Sequence, residues 1–207
     1  MNEIKVGLFD DHPAVAQGMK SFLTSQKVDV VFCCDNKTTL FSLLTSVKID
    51  ILILDIIAPD VTGLELFETV SKNFPKIKLI AYTSLNSVML VENLLSLGVK
   101  GFINKRQPAI DIFACVKSVY DNEVSIPKEY HFLTSKYRSF KSNILSSREI
   151  EIVELIAKEL TSCEIAEKLF ISPFTVENHR KTIFKKLEVK NLAGMIVAAS
   201  SIGYISQ

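Results

Sequence analysis

Residues 51–63 read Ile51-Leu-Ile-Leu-Asp55-Ile-Ile-Ala-Pro-Asp-Val-Thr-Gly63. A short apolar run that ends on a carboxylate reads as a buried strand with a reactive group at its carboxyl end. Similar runs lie on either side, at Ile4–Phe9, Val28–Cys33, Lys78–Tyr82 and Gly101–Ile103. Between them the apolar residues change to helical spacing, as in Val15, Met19, Phe22 and Leu23, or Leu64, Phe67 and Val70. Parallel neighbours need crossover connections, so five strands alternating with five helices predict an α/β domain with a five-stranded doubly wound parallel sheet.

In such sheets the working groups gather at the carboxyl ends of the strands. Asp10 and Asp11 follow the first run, Asp55 the third, Thr83 and Ser84 the fourth, and Lys105 the fifth. Three carboxylates brought to one pocket repel each other unless a cation sits among them. Oxygen ligands from carboxylates, with water and phosphate completing the shell, describe a Mg2+ site. A lysine and a hydroxyl beside it complete a cradle for a phosphoryl group, which suits phosphoryl transfer onto a carboxylate. Taken singly, each of these residues also reads as a helix cap or a solvated turn.

These residues resemble the receiver domains of response regulators, of flavodoxin-like fold, over nearly all of residues 1–124. The likeness rests on Asp-Asp-His-Pro at 10–13, the 55–63 stretch, Thr83, and Gly-Phe-Ile-Asn-Lys at 101–105. It implies that Asp55 accepts a phosphoryl group from a sensor histidine kinase. It also implies Asp11 as a direct Mg2+ ligand, Asp10 holding the ion through water, and the Ile57 backbone carbonyl as a third protein ligand. Thr83 would bond one phosphate oxygen, Lys105 would pair with another, and Phe102 would be the aromatic that turns with the state. Tyr82, bulky beside Thr83, is expected to crowd the space into which Phe102 turns. Ala58 stands where the family usually has methionine, and Arg106 where it often has proline; neither change removes a group the reaction needs. Ile57 and Leu85 flank the family's path for hydrolytic water, either shielding the phosphoryl group or merely covering apolar surface.

The bulk composition agrees with a globular chain: 207 residues, 48% hydrophobic and 23% charged, with a formal net charge of +1. That balance announces no global basic field for nucleic acid. Locally, Arg180, Lys181, Lys185, Lys186 and Lys190 crowd together, interrupted only by the acid Glu188. Cys33, Cys34, Cys115 and Cys163 show no C-x-x-C spacing and no zinc-type histidine partner, and read as reduced cysteines. No apolar run approaches a membrane span, and the first residues run straight into a strand instead of a cleavable signal. A cytoplasmic location with no membrane partner is expected.

Residues 125–143 lack sustained periodicity and carry Pro127 and several serines, so they read as a linker. Tyr130, Phe132, Tyr137 and Phe140 make it too apolar to be purely flexible. Its basic charge is either a solvated face or lies near DNA.

From residue 144 strand signals vanish. Ser146-x-x-Glu149 and Thr161-x-x-Glu164 fit capping boxes, and Ser172-Pro173 fits an N-cap with proline at the first helical position. Helices are predicted near 147–159, 162–169, 173–188 and 191–202. The short turn Phe170-Ile-Ser172 between the second and third is the mark of a helix-turn-helix. On the third helix Val176, Ile183 and Leu187 lie at core spacing, while Asn178, Lys181 and Lys185 point away with Glu177 at the flank. Such side chains suit base edges and phosphates, or an ordinary solvated face.

Leu145-Ser-Ser-Arg-Glu149, Glu164-Ile-Ala166, Ile171-Ser172 and Thr175-Val-Glu-Asn-His179 resemble the LuxR-type helix-turn-helix over 144–207. A second, smaller all-α DNA-binding domain joined to a receiver is the NarL/FixJ class of two-component response regulator. The resemblance implies that phosphorylation of Asp55 controls dimerisation and sequence-specific binding to double-stranded promoter half-sites, and so transcription. Glu177, Asn178 and Lys181 would lie nearest the bases, and Thr175 and Lys185 nearer phosphates. Leu192, Met195, Ile196 and Ala199 of the fourth helix would supply the homodimer contact, with Leu192 where many relatives carry arginine. Arg180, at the core edge of the wheel, is expected to pair within the domain as readily as with DNA. The chain is not expected to be an enzyme. An aspartyl-phosphate phosphatase places a second Asp two residues after its nucleophile, and Ile57 stands there.

Overall fold

The computed structural model describes residues 3–57, 64–131 and 145–205. Its first domain alternates β1 (Lys5–Phe9), α1 (Pro13–Ser25), β2 (Asp29–Cys34), α2 (Lys37–Ser46), β3 (Ile51–Asp55), α3 (Glu65–Asn73), β4 (Lys78–Thr83), α4 (Val88–Ser96), β5 (Gly101–Asn104) and α5 (Ala109–Tyr120). The five strands form one sheet in the order β2-β1-β3-β4-β5, and every pairing is parallel. This is the doubly wound sheet the alternation predicted. Residues 58–63 of the opening stretch, Ala58 among them, lie outside the described residues.

The apolar runs follow from two covered faces. β3 is buried at all five positions because helices lie on both sides of the sheet. Leu52 and Leu54 face a core with Phe67 and Leu90, whereas Ile51 and Ile53 face one with Leu23 and Val116. Each such side chain contributes about 1.5–3 kcal/mol through burial. At the sheet edge a Cβ on Gly101 would come within 2.7 Å of Cys115 Sγ and 2.9 Å of Ile80 Cγ1. Glycine is what lets α5 lie this close to β5.

The chain does not leave the sheet domain at residue 124. Ser125 bridges Gly101 in parallel fashion: its N–H donates to Lys100 O at 2.8 Å, and its carbonyl accepts from Phe102 N at 2.9 Å. A single 3-10 turn at Lys128–Tyr130 then buries Tyr130. The first part of the expected linker is therefore folded onto the sheet edge. Residues 132–144 lie outside the described residues.

The second domain consists of α6 (Ser147–Ala157), α7 (Ser162–Lys168), α8 (Pro173–Lys186) and α9 (Leu192–Ile202). All three capping signals form: Ser146–Glu149 and Thr161–Glu164 are complete capping boxes, and Ser172 Oγ accepts from Thr175 N at 3.1 Å with Pro173 opening α8. Between α7 and α8 the chain reverses through Phe170 at φ 53°. Val176, Ile183 and Leu187 join Ile152, Val153, Ile165, Met195 and Ala199 in the core. Across that core Lys186 Nζ donates to the buried Glu149 Oε2 at 2.7 Å, tying α8 to the start of α6. α9 in turn lies against α4 of the sheet domain.

Candidate phosphorylation site and DNA-facing helix

Because β1, β3 and β5 run parallel, their carboxyl ends deliver Asp10, Asp55 and Lys105 to one place. Lys105 Nζ stands 2.7 Å from Asp55 Oδ2 and 2.8 Å from Asp10 Oδ2. The Ile57 N–H donates to Asp55 Oδ1 at 3.1 Å, and the His12 N–H to Asp10 Oδ1 at 2.9 Å. Asp11 Oδ1 lies 2.8 Å from His12 Nδ1. The Asp55 and Asp10 side chains are 2% and 4% exposed, so these charges are held largely out of water.

One ammonium cannot offset two buried carboxylates completely. Burial pushes the Asp55 carboxyl above its ordinary range, and Lys105 pulls it only part of the way back. For Lys105 burial works downward, but the hydrogen bonds and charges of Asp10 and Asp55 outweigh it and hold the ammonium above its usual value. One ligand atom each from Asp10, Asp11, His12 and Asp55 lie within 4.8 Å of one another. Asp10 Oδ2 and Asp11 Oδ1 are buried, and the groups within reach of them are Lys105 Nζ and His12 Nδ1 respectively. Three carboxylates gathered around the Lys105 ammonium leave negative charge that a hard divalent cation such as Mg2+ would balance. His12 entered the sequence reading only as part of the Asp-Asp-His-Pro motif; its position two residues after Asp10 brings it to the same cluster.

Thr83 is fully buried at the end of β4, where its Oγ1 accepts from Leu85 N at 3.2 Å and its carbonyl from Lys105 N at 2.8 Å. Phe102 is 3% exposed and packs edge-on against Tyr130. The expectation that Tyr82 crowds Phe102 is corrected. Phe102 pairs with Ala81 and shares its face of the sheet, whereas Tyr82 pairs with Ile103 on the opposite face. Tyr82 instead lies under Lys105, whose Nζ is 5.4 Å from the ring centroid.

On α8 the side chains Asn178, Lys181 and Lys185 are all exposed opposite the buried strip. Thr175 is engaged at the helix start, its Oγ1 2.8 Å from Ser172 Oγ. Glu177 turns back toward α7: its Oε1 accepts from Ser162 Oγ at 2.5 Å and from Arg180 Nη1 at 3.1 Å. Arg180 also donates to Ser162 Oγ at 2.7 Å, so it pairs within its domain as the helical wheel suggested. Met195 and Ala199 of α9 have no exposed surface, while Leu192 and Val197 are 43% and 70% exposed. The dimer contact expected from α9 therefore cannot use Met195 and Ala199 as surface residues in this conformation. Among the described residues no helix is long and apolar enough to cross a membrane.

Residues 6–117 match the family model of the response regulator receiver domain, and residues 143–199 that of the bacterial regulatory proteins of the LuxR family. The oxygen regulatory protein NreC of Staphylococcus aureus strain JH9 is 31% identical over 203 residues, covering 91% of this chain and 93% of that protein. RcsB of Salmonella enterica serovar Typhimurium, bound to promoter P1flhDC in the presence of phosphomimetic BeF3−, is similar with a TM-score of 0.67 at 27% identity. That match covers 97% of this chain and 100% of that one. RcsB from the same organism bound to promoter rprA gives a TM-score of 0.68 at 27% identity, covering 96% and 99%. The acidic pocket, the capped helix-turn-helix and the length over which both domains match converge: this chain belongs to the NarL/FixJ class of two-component response regulators, with a receiver and a LuxR-type DNA-binding domain.

Proposed function

We propose that Asp55 is the phosphoacceptor, that a sensor histidine kinase is the donor, and that phosphorylation controls homodimerisation and specific binding of double-stranded DNA. An Asp55 carboxylate oxygen attacks the phosphorus, a new P–O bond forms, the P–N bond to the kinase histidine breaks, and the imidazole departs. Lys105, by its charge and hydrogen bond, favours the ionised form of Asp55 for that attack and then pairs with a phosphoryl oxygen, while the Thr83 hydroxyl bonds a second. Asp10, Asp11, Asp55 and the Ile57 carbonyl would hold Mg2+, which supplies charge neutralisation on the transferring oxygens. The supporting observation is the convergence of Asp10, Asp11 and Asp55 within 4.8 Å of one another, with Lys105 shared by Asp10 and Asp55.

For DNA, α8 is the recognition helix, with Asn178 and Lys181 reading bases and Thr175 and Lys185 near phosphates. Glu177 reaches bases only by giving up its bonds to Ser162 and Arg180. RcsB is seen on promoter DNA and as two dimers on two parallel DNAs, which supports the same use of this domain here. The chain acts as a transcription regulator in the cytoplasm and turns over no substrate of its own.

The test is intact-mass measurement after incubation with acetyl phosphate and Mg2+. A gain of one phosphoryl group that is absent from Asp55→Asn supports the reading. Release of inorganic phosphate without an adduct would make the pocket an enzyme's. No reaction in the wild type would leave a DNA-binding protein without a phosphorylation switch.

A further inference from the structure

The DNA-facing side of α8 opens on a residue with no polar group. Phe174 is 74% exposed at the second position of the helix, after the N-cap Ser172 and Pro173. At ~100° per residue it falls on the same line as Asn178, Lys181 and Lys185, opposite the buried Val176, Ile183 and Leu187. The exposed face is thus one phenyl ring followed at one-turn intervals by an amide and two ammonium groups. With 74% of its surface exposed, Phe174 sits where water disfavours a phenyl ring.

We propose that Phe174 is a specificity-determining residue, packing against the 5-methyl group of a thymine in the major groove. The inference rests on the reading of α8 as the recognition helix and names what its first turn reads. In that geometry the N-terminal residues of the helix reach the base edges. A phenyl ring forms no ion pair with phosphate and no strong hydrogen bond with a base edge. The thymine methyl is the one apolar group the major groove offers, and phenylalanine is among the side chains that meet it. The cations Lys181 and Lys185 on the same line draw the ring to a polyanion, as an apolar protein partner would not. Phe170, 95% exposed, lies in the preceding turn and not on this line, so it serves as an exposed-aromatic control.

The experiment uses the phosphorylated full-length chain and a duplex it selects from a randomised pool, with copies in which each thymine is replaced in turn by deoxyuridine. Loss of one methyl contact should weaken wild-type binding about fourfold at a particular position, from the burial value of one carbon. Phe174→Ala should bind the thymine duplex several-fold more weakly and should not distinguish thymine from uracil at that position. Its salt dependence should equal the wild type's, because no cation is lost. Phe170→Ala should keep the discrimination. Circular dichroism checks that Phe174→Ala remains folded, as its exposure leads one to expect.

If Phe174→Ala discriminates thymine from uracil as the wild type does, or binds both duplexes unchanged, the inference is overturned and the ring serves another contact. Lys185→Ala separates this from failure of the recognition-helix reading. A flattened salt slope in Lys185→Ala keeps that reading even if Phe174 proves indifferent. If Lys185→Ala and Phe174→Ala both leave binding untouched, α8 is not the DNA-facing helix and both ideas fall.

Discussion

Phe102 and Tyr130 meet edge to face, with ring centroids 6.1 Å apart and planes at 76°. Tyr130 belongs to the segment expected to be a linker, yet it is 5% exposed, and its hydroxyl donates to Asn86 Oδ1. Asn86 lies three residues beyond Thr83, and Phe102 three before Lys105. The start of the linker is therefore packed against neighbours of two groups that surround Asp55, and any turning of Phe102 has to displace Tyr130.

Deleting the Tyr130 ring should cost about as much as a core truncation despite its place in a connecting segment. Tyr130→Ala is expected to lower stability by ~2–4 kcal/mol, whereas Tyr130→Phe, which keeps the ring contact and loses the bond to Asn86, should cost ~0.5–1.5 kcal/mol. Urea unfolding of the full chain measures both. Equal costs for the two variants would show that the hydroxyl, not the packing, anchors the segment.

Lys105 serves two carboxylates at once, and its removal should split two properties that usually move together. Without the ammonium the pocket keeps its full negative charge, so Lys105→Ala should bind Mg2+ more tightly by calorimetry. The same variant should accept phosphate from acetyl phosphate more slowly, by ~10²–10³-fold, having lost a cation that stabilises the transferring oxygens. Chelation of the metal should abolish wild-type phosphorylation. Weaker Mg2+ binding in Lys105→Ala would mean that the lysine is needed to shape the site.

In the second domain Glu149 is a buried carboxylate whose pKa has a clear direction. Burial works upward, but the Lys186 ammonium and the Ser146 N–H and hydroxyl outweigh it, so the carboxyl titrates below its ordinary range. A depressed folded-state pKa adds stability that is fully present above the unfolded value and lost as pH falls through the folded one. Glu149→Gln should therefore cost ~1–3 kcal/mol near neutral pH. The gap from wild type should begin to narrow as pH falls below the ordinary glutamate value of about 4.3 and close as it falls through the lower folded-state value. Urea midpoints of the two proteins across that range test it; a gap independent of pH would assign the loss to the capping box rather than to the charge.

What the sequence made legible was local or set by strand order. The caps at Ser146, Thr161 and Ser172 depend on residues three apart, and all three form. Asp10, Asp55, Thr83 and Lys105 could be placed because a parallel sheet sends every strand's carboxyl end to one edge. What the sequence did not show came from tertiary geometry. Tyr82 and Phe102 looked like neighbours, but strand pairing sets Tyr82 beside Ile103, and alternation puts the two rings on opposite faces. Glu177 lies on the exposed flank of its own helix, and only the approach of α7 shows that Ser162 captures it. On α9 the run Leu-Ala-Gly-Met-Ile-Val-Ala-Ala is apolar on every side, so periodicity cannot separate the buried Met195 and Ala199 from the exposed Leu192 and Val197.

The same turn recurs on two sides of the proposed phosphorylation site. Ile57 N donates to Asp55 Oδ1 at 3.1 Å, and Leu85 N donates to Thr83 Oγ1 at 3.2 Å. Each bond joins a reactive side chain to the residue two positions on, so an apolar side chain stands beside each group that would hold the phosphoryl oxygens. Ile57 is 40% exposed, and Leu85 is partly buried against the core. Hydrolysis of the acyl phosphate needs a water in line with the phosphorus, and neither side chain can orient one by hydrogen bonding. Their bulk also hinders entry, an effect of positioning that leaves the metal ligands untouched. The phosphoryl group on Asp55 should therefore be lost slowly. An Ile57→Asn, Leu85→Lys double variant should lose it ~10-fold faster or more, since orienting one water is worth at least ~1.4 kcal/mol of barrier. Following the phosphorylated mass of the full chain over time measures both rates. If the polar pair leaves the rate unchanged while Mg2+ binding and folding remain intact, Ile57 and Leu85 only cover apolar surface and some other feature sets the lifetime.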